Sequence, residues 1–279
     1  VVTASAASAK HSAASSRMLD LRNGAGAQED AVAGSPSTLT IYASDMHGNK
    51  AQYDPFAEQD DFVVYLAAMG QRCYPVCPST CDALTGSPYQ ESDLCIGTTV
   101  VNNFDSTYTV KWTPTIAEKY QVVAHLKGAF VQNSPFFATV VTGPISALTS
   151  LIYGLQDSIK AGSSVGLTIE ARDTYHNRIR EGGAPFTARL VSLDEDSTTV
   201  SETLTVLDCS LGTCGNVTVG TGGYETTYFA TKSSRYAVHI DYRGASVASS
   251  PIKTIVQPLG LDASVSTMSG SGSIGGGVG

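Results

Sequence analysis

The residues with the most specific chemistry in this chain are its six cysteines, which form two groups. The groups are Cys73, Cys77, Cys81 and Cys95, then Cys209 and Cys214. An even number of clustered cysteines among Pro and Ser residues predicts disulfides made in an oxidising compartment. We expect Cys209 to pair with Cys214, whereas the group of four permits three pairings. Zinc is the alternative, but the spacing is not that of a usual zinc finger and no histidine lies within the group of four.

Other groups that could support catalysis or cofactor binding are weakly developed. Gly270–Gly275 (GSGSIG) fits the dinucleotide pattern G-x-G-x-x-G, but the glycines after it disfavour the helix that the motif requires. The five histidines are scattered, and we expect His125 and His239 to face solvent from alternating strands. The sequence has no serine-nucleophile motif. It therefore predicts no enzymatic activity, no catalytic residue and no cofactor.

Charge excludes some classes of partner. Two short acidic clusters, Asp60–Asp61 and Asp194–Ser197, could suggest a calcium site. Neither has the ordered spacing of a calcium-binding loop. We therefore interpret both as solvated loops and predict no metal site. A net charge of −8 disfavours nucleic acid, because phosphate binding needs a basic face. We expect no membrane span in these residues, since no apolar stretch is long enough.

An internal repeat organises the elements that carry these residues. Leu39–Asn49 (LTIYASDMHGN) returns 128 residues later as Leu167–Asn177 (LTIEARDTYHN). The later parts of the two copies match with an offset of 116, as Ser134-Pro135 and Ser250-Pro251 show. The first copy is thus 12 residues longer in its middle, where the group of four cysteines lies. This difference indicates a loop inserted into a common scaffold.

Both copies have the periodicity of β-strands. Apolar and polar residues alternate in Tyr108–Trp112, Phe186–Leu190 and Tyr236–Tyr242, which is typical of strands with one buried face. Gly, Pro, Asn and Asp separate these short runs, so each copy is predicted to be a β-sandwich.

Particular residues also predict the turns between the strands. We expect Asn49 and Asn177 to end a strand in a left-handed turn, a conformation that Asn tolerates. Gly128 and Gly244 predict hairpin turns.

These segments resemble a filamin-type immunoglobulin-like repeat. Ala161–Leu190 is similar to its first half through Ala-Arg-Asp, Asn-Arg, Gly-Gly and Phe elements, and Ser106–Val141 to its second half through Thr-Tyr, Thr-Pro, Tyr, Gly and Ser-Pro-Phe elements. The pattern departs at Glu118, where the family has Gly, and in the second copy, where FATKSSRY lacks the Thr-Pro step. The resemblance implies an all-β fold of tandem immunoglobulin-like (filamin-type) β-sandwich repeats.

The repeat also divides the chain into predicted domains. Residues 10–143 form the first repeat, with the Cys-rich insertion at about 67–97, and residues 144–257 form the second. Residues 1–9 are interpreted as a linker or the tail of a preceding repeat, and residues 258–279 as a Gly/Ser-rich linker or the start of a further repeat. We therefore expect the chain to be part of a longer tandem array.

The resemblance implies a function as well as a fold. The chain is similar to filamin-type repeats of extracellular adhesion proteins, such as those of plant and green-algal gametes. Such a protein would act at the cell surface as a spacer and protein-contact module. Its partners would be further copies of itself or other surface proteins. The sequon at Asn216 predicts an N-glycan, which suits an extracellular location. The alternative is an intracellular scaffold that binds partner peptides by β-augmentation at a sheet edge, as filamin repeats do.

The Cys-rich insertion is the candidate contact loop. It places Tyr74, Pro75 and Pro78 among its cysteines, and rigid scaffolds carry binding residues on variable loops. The alternative role for a cysteine-bearing loop is to stiffen and cover a sheet edge that would otherwise aggregate. We favour the covering role for Cys209 and Cys214, and both roles stay open for the group of four.

Overall fold

A computed structural model of the chain describes residues 12–15, 30–51, 61–68, 95–132, 134–193, 200–211, 214, 222–260, 262 and 264–267. The chain forms two compact units. Unit 1 consists of Val1–Thr149 together with Arg172–Ile179, and unit 2 consists of Ser150–Ala171 and Arg180–Gly279. The predicted domain boundaries stay a prediction.

Unit 1 is a sandwich of two sheets. Its strands are β1 (Ala13–Ser15), β2 (Ala31–Val32), β3 (Ser37–Tyr42), β4 (Phe62–Ala68), β5 (Cys95–Gly97), β6 (Thr99–Asn102), β7 (Thr107–Trp112), β8 (Lys119–Leu126), β9 (Ala129–Phe130) and β10 (Phe136–Val141). The smaller sheet has the order β1-β3-β7-β6, and the larger has the order β2-β10-β8-β4-β5 with β9 paired to β8. Strands β2 and β10 are parallel, whereas the other pairs are antiparallel.

Unit 2 repeats this topology. Its strands are β11 (Leu151–Tyr153), β12 (Ser158–Lys160), β13 (Ser164–Glu170), β14 (Phe186–Ser192), β15 (Val200–Leu204), β16 (Val206–Asp208), β17 (Gly223–Phe229), β18 (Ser234–Tyr242), β19 (Ala245–Ser246) and β20 (Ile252–Gln257), with a 3-10 turn at Cys209–Leu211. The smaller sheet has the order β11-β13-β17-β16. The larger has the order β12-β20-β18-β14-β15, with β19 paired to β18.

Alternate residues of the strands fill the two cores, as the periodicity predicts. In unit 1, Leu39 and Ile41 of β3 are buried together with Val110 of β7. In unit 2, Leu167 and Ile169 of β13 occupy the corresponding positions. The predicted fold class, tandem immunoglobulin-like β-sandwiches, is therefore confirmed.

The predicted hairpin turns are confirmed as well. Gly128 joins β8 to β9, and Gly244 joins β18 to β19, with φ angles of 80° and 83°. Each glycine follows a basic residue, Lys127 or Arg243, that also has a positive φ. Two successive left-handed residues are what a tight hairpin turn requires.

The expected backbone conformation of the repeated Asn residues was wrong. The left-handed residues are Gly48 and His176, each one position before the Asn. Asn49 and Asn177 act through their side chains instead, because each side-chain amide donates to the Asp four residues earlier.

A buried tyrosine fixes the start of the central strand in each unit. The hydroxyl of Tyr120 donates to the carbonyl of Ile116 at 3.1 Å, and that of Tyr236 donates to the carbonyl of Lys232 at 3.2 Å. Both acceptors lie four residues upstream, the arrangement known as a tyrosine corner in immunoglobulin-like domains. It binds the connection before the strand to the strand itself.

We therefore predict that Tyr120→Phe lowers the free energy of unfolding of unit 1 by about 1 kcal/mol, because one hydrogen bond is lost while the ring remains. Urea unfolding followed by the fluorescence of the single tryptophan, Trp112, which is buried in the same core, measures the change. Tyr42→Phe, at an exposed position, is the control and should leave the midpoint unchanged. Equal midpoints for all three proteins would contradict the role of the Tyr120 hydroxyl.

Candidate protein-contact site

The chain covers one edge of each larger sheet with its own strand. In unit 2, β15 pairs with β14 from Ala188 to Val191. In unit 1, β5 pairs with β4 from Tyr65 to Ala67, and the Thr98 hydroxyl donates to the Val64 carbonyl at 2.7 Å. These strand edges already have backbone partners, so an incoming peptide strand cannot pair with them there.

Two of the predicted site cysteines lie in one disulfide next to an edge strand. Cys209 and Cys214, five residues apart in sequence, form a disulfide with their Cα atoms 5.0 Å apart. Cys209 directly follows β16, the edge strand of the smaller sheet in unit 2. Cys95 is the first residue of β5, where it is paired in register with Ala67.

Asp208, at the end of β16, connects the disulfide loop to the segment before β14. Its carboxylate accepts hydrogen bonds from the backbone amides of Gly183 and Ser210, and from the Ser210 hydroxyl at 2.6 Å. The next amide along, that of Ala184, donates to the Tyr224 hydroxyl at 2.9 Å. The disulfide loop is thus part of a hydrogen-bonded cluster that includes β16 and β17.

These contacts shift two pKa values. Burial opposes ionisation of Asp208, but the hydrogen bonds from Ser210 and Gly183 outweigh it and lower the pKa of this carboxyl. Burial raises the pKa of the Tyr224 hydroxyl. At neutral pH the cluster therefore contains an ionised Asp208 and a neutral Tyr224.

The sulfurs of the disulfide lie close to the Glu225 carboxylate, so the three side chains could suggest a metal site. Zinc, however, requires cysteine as a thiolate. Cys209 and Cys214 are bonded to each other, so neither offers a thiolate, and we interpret the group as structural.

The outer face of the larger sheet in unit 1 has apolar side chains around His125. His125 of β8, expected to face solvent, is 7% exposed, so that prediction was wrong. Its ring lies 4.5 Å from that of Phe130 and 6.2 Å from that of Tyr65. His125 points to the outer face of the sheet, but aromatic side chains from neighbouring strands cover it.

Phe130 and Phe137, by contrast, are about half exposed on unit 1. Exposed apolar side chains that share one face of a sheet are typical of protein-contact surfaces. We name this surface, defined by Val63, Phe130 and Phe137, the apolar face of unit 1.

Unit 2 has charged residues at the equivalent positions. Arg189 of β14 replaces Tyr65, Asp241 of β18 replaces His125, and the two side chains form an ion pair at 3.8 Å. His239 lies opposite Arg189 in the ladder and is half-buried; burial and the nearby Arg189 lower its pKa. The apolar face is therefore a property of unit 1 that its repeated scaffold does not require.

Unit 2 contains a cavity of about 370 Å³ between β14, β15 and the turn that joins β17 to β18. Glu202, Lys232 and Phe229 are among its lining residues. The hydroxyls of Ser192 and Ser234 lie 3.3 Å apart there and connect β14 to β18.

Several residues that the sequence analysis singled out, as sites or as rejected candidates, lie outside the described residues. They are Cys73, Tyr74, Pro75, Cys77, Pro78, Cys81, Asp60, Asp194–Ser197, Asn216 and Gly270–Gly275. The contact loop, the pairing of the four cysteines and the glycan stay predictions. Within the described residues, no helix could cross a bilayer.

Comparison with known proteins agrees with this architecture. Residues 21–137 match the family model of the Filamin/ABP280 repeat. Among solved structures, the Escherichia coli adhesin FdeC is 20% identical with a TM-score of 0.50, and the match covers 91% of this chain and 66% of that chain. This likeness shows a shared β-sandwich fold.

Two further structures are similar at lower scores. Invasin, a bacterial integrin-binding protein, is 14% identical with a TM-score of 0.46, over 92% of this chain and 42% of that chain. The Lin-41 filamin domain is 13% identical with a TM-score of 0.32, over 50% of this chain and 100% of that domain. The chain spans less than two thirds of the FdeC and invasin chains.

The disulfide predicts a measurable difference in stability. Replacing both Cys209 and Cys214 by Ser should lower the free energy of unfolding of unit 2 by about 2 kcal/mol, because a short loop is released in the unfolded chain. Urea unfolding followed by the NMR signals of β17 amides measures it. Reduced wild-type protein is the control and should match the double variant. A wild type whose midpoint does not respond to reductant would contradict the prediction.

Asp208 predicts a pH dependence. Because its pKa is lower in the folded state, its contribution to stability is complete above the ordinary aspartate value of 3.8 and is lost as pH falls through the folded pKa. Asp208→Asn should therefore destabilise unit 2 at neutral pH and make little difference in strong acid. The same unfolding assay across this pH range measures the difference in free energy of unfolding between wild type and Asp208→Asn. A difference that stays constant on acidification would show that the Asp208 charge does not stabilise unit 2.

Proposed function

We propose that this chain is a non-enzymatic extracellular protein segment whose tandem immunoglobulin-like repeats act as a spacer and protein-contact module in a cell-surface fibre or adhesion stalk. The observation that carries the proposal is the disulfide between Cys209 and Cys214 on an immunoglobulin-like scaffold. Structural disulfides persist in oxidising environments and are rare in the cytosol. The architecture itself is suited to spacing and contact, since each sandwich has its own core of buried residues.

The alternative, an intracellular scaffold that captures partner peptides, has less support. The observation that favours it is the match to the Filamin/ABP280 repeat model at residues 21–137. β-augmentation, however, needs a strand edge with unpaired backbone groups. In each unit the chain's own strand, β5 or β15, already pairs with β4 or β14, so a peptide strand cannot pair with those residues.

A contact surface suits unit 1 better than unit 2. The apolar face of unit 1 exposes Phe130 and Phe137, whereas unit 2 has Ser246 and Lys253 at the equivalent positions. The predicted contact loop follows Ala68, the last residue of β4, and returns at Cys95 beside the same strand. Partners would be surface proteins or further copies of this chain, with adhesion of the gamete type as one such setting.

Counting free thiols tests the location. Protein isolated from its native source is denatured without reductant and titrated with a thiol reagent. We expect no more than four of the six cysteines to react, because Cys209 and Cys214 are paired, and we expect none if the group of four is also paired.

The same sample after reduction is the control, and peptide mass spectrometry should then find all six of these cysteines labelled. Labelling of all six before reduction would overturn the extracellular assignment and favour the cytosolic scaffold. The measurement does not depend on knowing the partner.

A further inference from the structure

We propose that Asp45–Asn49 and a backbone surface at Gly162 and Thr231–Ser233 are the two halves of a head-to-tail contact between copies of this chain. We call Asp45–Asn49 the first Asp–Asn loop and Asp173–Asn177 the second Asp–Asn loop. The partner is a second repeat of this kind, carried by another copy. The inference rests on the proposed function, in which repeats contact one another in an array.

The two Asp–Asn loops have the same internal structure. In the first, Asp45 Oδ1 accepts the amides of His47 and Asn49, both at 2.9 Å. In the second, Asp173 Oδ1 accepts the amides two and four positions later, also at 2.9 Å. In both, the Asn side-chain amide donates to Oδ2 of the Asp, at 3.1 Å and 2.8 Å. Each loop is therefore fixed before it meets a partner.

The second Asp–Asn loop, which belongs to unit 1, shows what such a loop can bind. The Asn177 side chain donates to the Thr115 carbonyl at 2.7 Å and accepts the Ala117 amide at 2.9 Å. This two-point contact with the backbone leaves Asn177 only 3% exposed.

Two further contacts complete this surface of unit 1. Asp173 Oδ2 accepts the Gly143 amide at 2.9 Å. The ring of Tyr175 lies where a side chain at Gly34 would be, and Gly34 has a φ of 82°, so the contact and the backbone both favour glycine here. Most of the partner groups are backbone atoms or glycine, so the recognition depends on backbone shape and not on a particular side chain.

The first Asp–Asn loop has the same residues but a different environment. Asp45 is buried like Asp173, whereas Asn49 is exposed. His47, which corresponds to Tyr175, is exposed too. The loop is thus built in the binding conformation while its amide side chain faces solvent.

Unit 2 has the matching backbone surface, and it is also exposed. Gly162 corresponds to Gly34 and donates to the Ala230 carbonyl at 2.9 Å, as Gly34 does to the Pro114 carbonyl at 2.6 Å. A side chain at Gly162 would meet open space, in contrast to Gly34. Thr231 and Ser233, which correspond to Thr115 and Ala117, are exposed.

One chain therefore has an exposed loop of the binding type and an exposed surface of the accepting type. Because the two surfaces differ, the contact between copies is heterologous, and repeated use of it extends a line of molecules. A contact of this kind would extend a fibre or stalk of the proposed type.

NMR spectra of the ¹⁵N-labelled full chain test the proposal. The concentration is raised to about 1 mM, which reveals contacts with dissociation constants in the millimolar range. We expect concentration-dependent shifts at two sets of amides together, those of Asp45–Asn49 and those of Gly162 and Thr231–Ser233. Asn49→Ala should abolish the shifts in both sets.

Two further variants keep the test decisive. Met46→Ala changes a 63% exposed apolar side chain in the same loop and should preserve the shifts. Ser233→Arg blocks the accepting surface without altering the loop and should abolish them, even if Asn49→Ala disturbs the fold. Wild-type spectra without concentration dependence would overturn the proposal. The proposal would also be overturned if Met46→Ala removed the shifts while Ser233→Arg preserved them, because that result would indicate apolar association through Met46. Either failure would leave the thiol count, and so the proposed location, untouched.

Discussion

The pairing of one central strand in each unit is the constraint on which the rest of the structure depends. Strand β8 has β4 on one side and β10 on the other, and β18 has β14 and β20. A tyrosine hydroxyl fixes the start of each central strand. Further along each central strand, a backbone amide donates to the hydroxyl of the serine that comes just before the last strand. Ala124 donates to Ser134 in unit 1, and Ile240 donates to Ser250 in unit 2. Once these bonds form, the positions of the turns, loops and outer faces follow.

The same scaffold carries different surfaces in the two units, and this difference bears on function. Tyr65 and His125 of unit 1 correspond to Arg189 and Asp241 of unit 2. Neither change alters the inward-facing residues of the strands. The outer face can thus become apolar or charged without cost to the core, so one fold can present two different surfaces.

Sequence patterns predicted what depends on neighbouring residues and missed what depends on distant ones. The strands follow from period-two alternation, and the hairpins follow from Gly128 and Gly244. His125 was misjudged because its apolar neighbours, Tyr65 and Phe130, come from other strands. The short covering strands β5 and β15 have too few residues for a clear pattern. The role of Asn177 was missed because its partners lie about sixty residues away.

The central claim is that these repeats work outside the cell, as contact modules of a surface structure. Immunogold electron microscopy with antibodies against unit 2, on intact and permeabilised cells of the native source, tests it most directly. The account predicts gold on the outer surface of intact cells, arranged along fibres or stalks. Label that appears only after permeabilisation and follows the cytoskeleton would contradict it.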